Sequence, residues 1–153
     1  MKLCVLVKQV PGNESALRIA SSNTWIEDAA ALFEMNESDN YALEEALQMK
    51  ESLGNDSEVV AVSMGPERVK KVIREALAKG ADRGIHINEM PEIKSDPFAT
   101  AQVFANVIKD ENFDIIFSGL QSDDVGSGQT GIILGEMLGM ATATLVMATE
   151  VQE

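Results

Sequence analysis

Short continuous apolar runs alternate along this chain with stretches whose apolar residues recur every three or four positions. Leu3–Val7 is the first run, apolar throughout, as expected of a strand covered on both faces. Asp39–Leu53 then reads as a helix with Leu43, Ala46 and Leu47 on one face and Gly54 as its stop. Val59–Met64 is a second buried strand, closed by Gly65-Pro66. Glu67–Lys79 follows as a helix with Val69, Val72, Ile73, Ala76 and Leu77 inward, an acid at its positive end and a lysine at its negative end. Arg83–Ile87 has a short strand pattern interrupted by Gly84. Asp96-Pro97 opens a further helix, since proline suits a first turn, with Ala101, Phe104, Ala105 and Ile108 facing in. Asp114–Gly119 is a fourth strand, Gln129–Leu138 a helix stopped by Gly139, and Ala143–Val151 a last strand pattern.

The order is strand and helix in strict alternation. It predicts a doubly wound α/β fold: a mostly parallel five-stranded sheet with helices on both faces, in one domain over residues 1–153. One stretch breaks the rhythm. Gly12–Met35 is long for a connection, and Leu17–Ala20 with Trp25-Ile26 is expected to form a small hairpin around Ser21-Ser22-Asn23. That excursion leaves the carboxyl end of the first strand, where ligand loops belong.

The fourth strand empties into Gly119-Leu120-Gln121-Ser122-Asp123-Asp124-Val125-Gly126-Ser127-Gly128-Gln129-Thr130-Gly131. In a doubly wound sheet, ligands bind beyond the carboxyl ends of the strands where the strand order reverses, here between the first and fourth strands. Glycines let backbone N–H groups approach an anion, Ser127 and Thr130 add hydroxyls, Gln129 adds an amide, and the next helix presents unpaired N–H groups. The loop is neither a Walker loop nor a Gly-x-Gly-x-x-Gly fingerprint after the first strand. By itself it leaves a phosphate site and an ordinary Gly/Ser-rich connection both open.

Charge changes the picture. The 25 acidic residues outnumber the 12 basic ones, for a net charge of −13, which disfavours nucleic acid and anionic membranes as partners. After Lys109 there is no Lys, Arg or His at all. Phosphoryl transfer needs a cation to neutralise developing charge, so the segment suits holding one phosphate rather than cleaving a triphosphate. Asp123 and Asp124 are expected to point away from the phosphate or toward ribose hydroxyls. The single cysteine, Cys4, excludes an intrachain disulfide, and no His/Cys or carboxylate cluster suggests a metal. His86 has no nucleophile or second histidine arranged around it in the sequence. Glu45 is expected to be solvated, with Glu44 a candidate anchor for the preceding loop. The opening Met1-Lys2 followed by a short apolar run does not read as a signal peptide, and the expected location is cytoplasmic.

Several segments in order resemble the beta subunit of electron transfer flavoproteins. They are Val5-Leu6-Val7-Lys8-Gln9-Val10-Pro11, Asn36–Leu47 with its Ala-Leu-Glu-Glu-Ala core, Val62–Pro66, Ala76–His86, and the Gly119–Asp124 and Gln129–Gly131 segments. The resemblance implies a heterodimer with an alpha subunit that carries electrons from dehydrogenases on FAD held mainly by that alpha subunit, with no catalytic residue in this chain. It implies AMP as a structural ligand here, or a second FAD in bifurcating relatives. By position, it implies that Leu6 lines the adenine through its backbone and Met64 packs beside it. Asn36, Glu37, Ser38 and Asp39 would lie along the nucleotide. Gly119, Gln121, Ser122, Asp123, Val125, Gly126, Ser127, Gly128, Gln129 and Thr130 would wrap the ribose and phosphate. This chain departs from the family pattern in having Glu37 for a proline, Met64 for a smaller residue and Leu120 for Lys or Arg. The family's later region, with its recognition loop and C-terminal arm, lies beyond Glu153, so a truncated product or a short relative is expected. A universal-stress-like ATP-binding module has a similar sheet, but its Gly-x-x-Gly step after the fourth strand is not matched by Gly119-Leu120-Gln121-Ser122.

Overall fold

The computed structural model describes residues 1–54, 56–88 and 96–151. Four parallel strands form the main sheet: β1 (Lys2–Leu6), β4 (Glu58–Met64), β5 (Arg83–Ile87) and β6 (Ile115–Ser118), in the order β5-β4-β1-β6. The order reverses between β1 and β6. After β1 the chain builds outward through β4 and β5, then crosses back to place β6 on the other side of β1. Helices α1 (Glu37–Leu53) and α2 (Lys70–Lys79) cover one face, and α3 (Pro97–Ile108) and α4 (Thr130–Leu138) cover the other.

The two cores follow from the period of two along a strand. Leu3, Val5, Val59 and Ala61 point toward Leu43, Ala46 and Leu47 of α1 and Val72 and Ala76 of α2. Their neighbours Cys4, Leu6, Val60 and Val62 point toward Ala101, Phe104 and Ile108 of α3 and Leu134 of α4. Because both faces are covered, these strands are apolar throughout, as the sequence pattern requires. Burial pushes the Cys4 thiol up to about 12, which leaves it an inert packing residue. Gly84 sits where a Cβ would strike the Ile73 side chain, so its place inside β5 is a close approach of α2 to the sheet rather than a break in the strand. Asp96 caps α3, its carboxylate accepting from Phe98 N at 2.9 Å, with Pro97 in the first turn.

The excursion after β1 is more built than its sequence suggests. Its base is a two-stranded antiparallel ladder, β2 (Gln9–Pro11) against β3 (Phe33–Met35). Its tip is the expected hairpin, with Ile19 bridged to Ile26 and Asn23 turning at φ 54°. Arg68 stacks 3.7 Å from the Phe33 ring and reaches Gln9, which fastens the base to the turn before α2.

The fifth strand expected over Ala143–Val151 does not form. Leu145 takes a left-handed φ of 56°, which bends the backbone in the middle of the apolar run, and the segment pairs with no strand. It is instead tied to α1, where Glu45 Oε1 accepts from Thr149 N (2.7 Å) and Thr149 Oγ1 (2.6 Å). Glu45, expected to be solvated, thus holds Thr149 rather than the loop before α1, for which Glu44 was the candidate anchor. Glu44 bonds along its own helix to Gln48 at 2.9 Å. Among the described residues, no helix is long and apolar enough to cross a membrane.

Candidate functional site

The reversal between β1 and β6 leaves a crevice at their carboxyl ends. Leu6 and Ser118 are register partners there, and the chain leaves them as Val7-Lys8 and as the Gly119–Gly131 loop. The start of α1 faces this point and binds both departures. Asp39, in the first turn of α1, accepts from Lys8 N through Oδ2 (2.8 Å) and from Gly119 N through Oδ1 (3.0 Å). One buried carboxylate thus joins the ends of the two strands across the reversal.

Asn36 precedes α1 but does not cap it with its own side chain. The side chain, 1% exposed, crosses to the loop instead. Its Nδ2 donates to Gln121 O (2.9 Å) and to Ser38 Oγ (2.9 Å), and its Oδ1 accepts from Asp123 N (2.9 Å). Ser38 Oγ donates to the same Gln121 carbonyl at 2.7 Å. In return the Asp123 carboxylate accepts from Glu37 N, an N-terminal amide of α1, at 3.2 Å. The helix holds the loop and the loop caps the helix. Gly119 makes this possible, because a Cβ there would lie against Asp39 Oδ1 and Ser38 Oγ and 2.8 Å from Asp39 N.

Burial pushes the Asp39 carboxyl up to about 6, against the pull of the Lys8 amide, the Asn36 side chain and the Gly119 amide. The folded chain therefore binds this proton more tightly than the unfolded chain, whose ordinary value is 3.8. Between those two values stability falls as pH rises, by on the order of 3 kcal/mol in total, and levels off above about 6. Asp39→Asn removes that slope. Urea denaturation of both proteins across pH 4–7 is expected to show their difference in stability changing through the window and flat above it. A constant difference at all pH values refutes the assignment.

The far part of the loop is open. Val125 to Gln129 are exposed, with Gly126 and Gly128 at left-handed φ values of 69° and 61° that favour glycine. Gly126 N donates back to Ser122 O at 2.8 Å. No side chain caps α4, which starts immediately after Gln129. Gly131 lets α4 start close over Ser118, whose Oγ lies 2.5 Å from where a Cβ would stand.

Residue by residue, the structure brings Asn36, Ser38, Asp39, Gly119, Gln121, Ser122 and Asp123 into one hydrogen-bonded unit. Leu6 and Met64 end their strands at the same edge of the sheet, with side chains in the core beneath α3 and α4. Gly126, Ser127, Gly128, Gln129 and Thr130 surround the start of α4, and Val125 stands exposed before them. Glu37 behaves differently: its side chain is exposed, and with Asp123 it borders a cavity of about 360 Å³ also lined by Glu34 and Glu75, an acidic setting that repels phosphate. His86 is turned to the Gly65 carbonyl at 2.8 Å. Among the described residues, no group of three or more His, Cys, Asp or Glu side chains is placed to hold a metal ion.

Sequence reasoning missed Lys8. The loop has no cation within it, but the sheet order supplies one: Lys8 Nζ pairs with Asp124 Oδ1 at 2.6 Å and donates to Ser122 Oγ at 3.1 Å. The signal was the loss of all cations after Lys109, which makes the first polar residue beyond the neighbouring strand the place to look.

Comparison with known proteins agrees with this architecture. Residues 24–153 match the family model described as the electron transfer flavoprotein domain. The electron transfer flavoprotein subunit beta of Methylophilus methylotrophus is 37% identical over 95% of this chain and 55% of its own length. The subunit of the same name from Bradyrhizobium diazoefficiens is 38% identical over 99% of this chain and 60% of its own, and that of Bacillus subtilis 35% over 99% and 58%. The chain thus spans between 55% and 60% of the length of these three relatives. With the family model covering most of its residues, and relatives named as beta subunits matching 95% or more of it, the chain belongs to the electron transfer flavoprotein family.

Proposed function

We propose that this chain is the nucleotide-holding part of an electron transfer flavoprotein beta subunit and binds AMP as a structural ligand in the crevice between β1 and β6. The observation that carries the reading is the reciprocal clamp between the start of α1 and residues 119–123, which fixes a glycine-rich loop whose following helix has no side-chain cap. The clamp fixes the near half of the loop, and so the base from which the backbone donors of its far half are presented to one phosphate. The adenine lies along the Leu6 backbone beside Met64, and the phosphate meets the amides from Gly126 to Thr130. The dipole of α4 contributes only about 0.3–1 kcal/mol, so the directed hydrogen bonds dominate.

The chain performs no chemistry in this reading. Electrons from dehydrogenases pass over FAD, held mainly by an alpha subunit that pairs with the beta subunit. This chain's own residues bind the nucleotide, set the loop and stabilise the subunit that meets the flavin-bearing partner.

The test is to purify the full chain under native conditions, release its ligand with acid and identify it by mass spectrometry. AMP close to one per chain is expected. ATP points to a stress-type module instead, and FAD to a bifurcating relative with a second flavin. A correctly folded protein that repeatedly releases no nucleotide overturns the proposal.

A further inference from the structure

The fixings of the Gly119–Gly131 loop are unevenly distributed. The hydrogen bonds from the start of α1 reach Gly119, Gln121 and Asp123 and go no further along the loop. Val125 to Gln129 stand exposed beyond them. Where the two parts meet, the loop's own Gly126 N–Ser122 O hydrogen bond is joined by a tie from outside the loop, the Lys8 ammonium on Asp124 and Ser122.

Lys8 is well placed for this. Its backbone is held on both sides, since its N–H donates to Asp39 and its carbonyl accepts from Asn36 N at 2.9 Å. The base of the side chain therefore cannot drift, while the ammonium reaches over the loop. The two side chains are 45% and 22% exposed, so water and salt reach the pair. A pair in that position holds a loop closed by a few-fold rather than permanently.

We infer that the Lys8–Asp124 pair is a latch on the glycine-rich loop, and that its opening sets the rate at which the nucleotide enters and leaves the crevice. The first half stands on the geometry alone, and the second rests on the function proposed above. Lys8 is a positioning residue, acting on the ligand through the loop it restrains.

Hydrogen–deuterium exchange of the loop peptide in the full chain tests the latch directly, at low and at high NaCl. In Lys8→Met and in Asp124→Asn the hydrogen-bonded loop amides of Asp123 and Gly126 are expected to exchange about two- to fivefold faster than in the unaltered protein. High NaCl is expected to speed exchange in the unaltered protein and leave both variants unmoved. Lys8→Asp combined with Asp124→Lys is expected to recover most of the protection. Exchange in Lys8→Met equal to that of the unaltered protein, or a salt response kept in the variants, overturns the latch. Exchange in β1 and β4 serves as the folding control. If one single variant fails it, the other variant and the salt response of the unaltered protein decide.

The release of bound AMP, followed in the same proteins by displacement, separates the two halves. Faster release alongside faster loop exchange supports the gate, and unchanged release with faster exchange overturns it. A protein that binds no AMP at all overturns the functional reading and the gate with it, while loop exchange still decides the latch.

Discussion

Gly119→Ala is expected to detach the loop from α1 and to lower stability by on the order of 3 kcal/mol. The added methyl would occupy the space now taken by Asp39 Oδ1, Ser38 Oγ and the Asp39 amide nitrogen. None of these can yield cheaply. Asp39 holds Lys8 N as well as Gly119 N, and Ser38 holds Gln121 O, so a shift that relieves one clash breaks another hydrogen bond. The loop must move instead, which removes the second acceptor bond of a buried carboxylate. Urea denaturation gives the stability change, and mass spectrometry of released ligand is expected to show the nucleotide lost. Leu120→Ala, at an exposed position one residue on, is expected to stay within about 0.5 kcal/mol of the unaltered protein. Equal stability of the two variants would show that the loop is not docked on α1.

Asn36→Ala is expected to lower stability by about 2–3 kcal/mol. The side chain is almost wholly buried and makes three hydrogen bonds to the loop and to Ser38. Its removal strands Asp123 N without its acceptor and leaves Gln121 O with Ser38 alone. It also loosens the Asp123 carboxylate that caps α1, so the helix start is expected to lose amide protection together with the loop. Because Asn36 Oδ1 holds the amide of the same Asp123 whose carboxylate caps Glu37 N, a double variant with Asp123→Ala is expected to be clearly less destabilised than the sum of its parts. Additive losses in that cycle would refute the reciprocal clamp.

Both changes fall on residues that the sequence singled out, but for a different reason. Asn36, Ser38 and Asp39 were expected along a nucleotide through resemblance to the family. In the structure their side chains are committed to the loop and to Lys8, and they shape the crevice by holding its wall. A family pattern marks a position without stating which partner the side chain takes. Asp123, expected to point away from a phosphate or toward ribose hydroxyls, has its carboxylate on the Glu37 amide at the start of α1.

The alternation of apolar runs and helical periods was enough to determine the fold class, the four strands that form and the helices between them. Burial on both faces writes itself into the strands as unbroken apolar runs, and capping residues such as Asp96, Gly54 and Gly139 act locally. The sequence also determined that the Gly119–Gly131 loop carries no cation and opens an amide-rich helix start. Only the tertiary structure decided the rest, because the rest depends on contacts between segments far apart in the chain. The apolar run at Ala143–Val151 has the composition of a strand, but pairing needs a partner edge and an extended backbone, and the bend at Leu145 denies it the second. The β2–β3 ladder was hidden because three-residue strands carry too little pattern to show a period. Placing β6 beside β1 brought Lys8 within 2.6 Å of Asp124, across 116 positions of sequence, and so gave the loop the one charge its own residues lack.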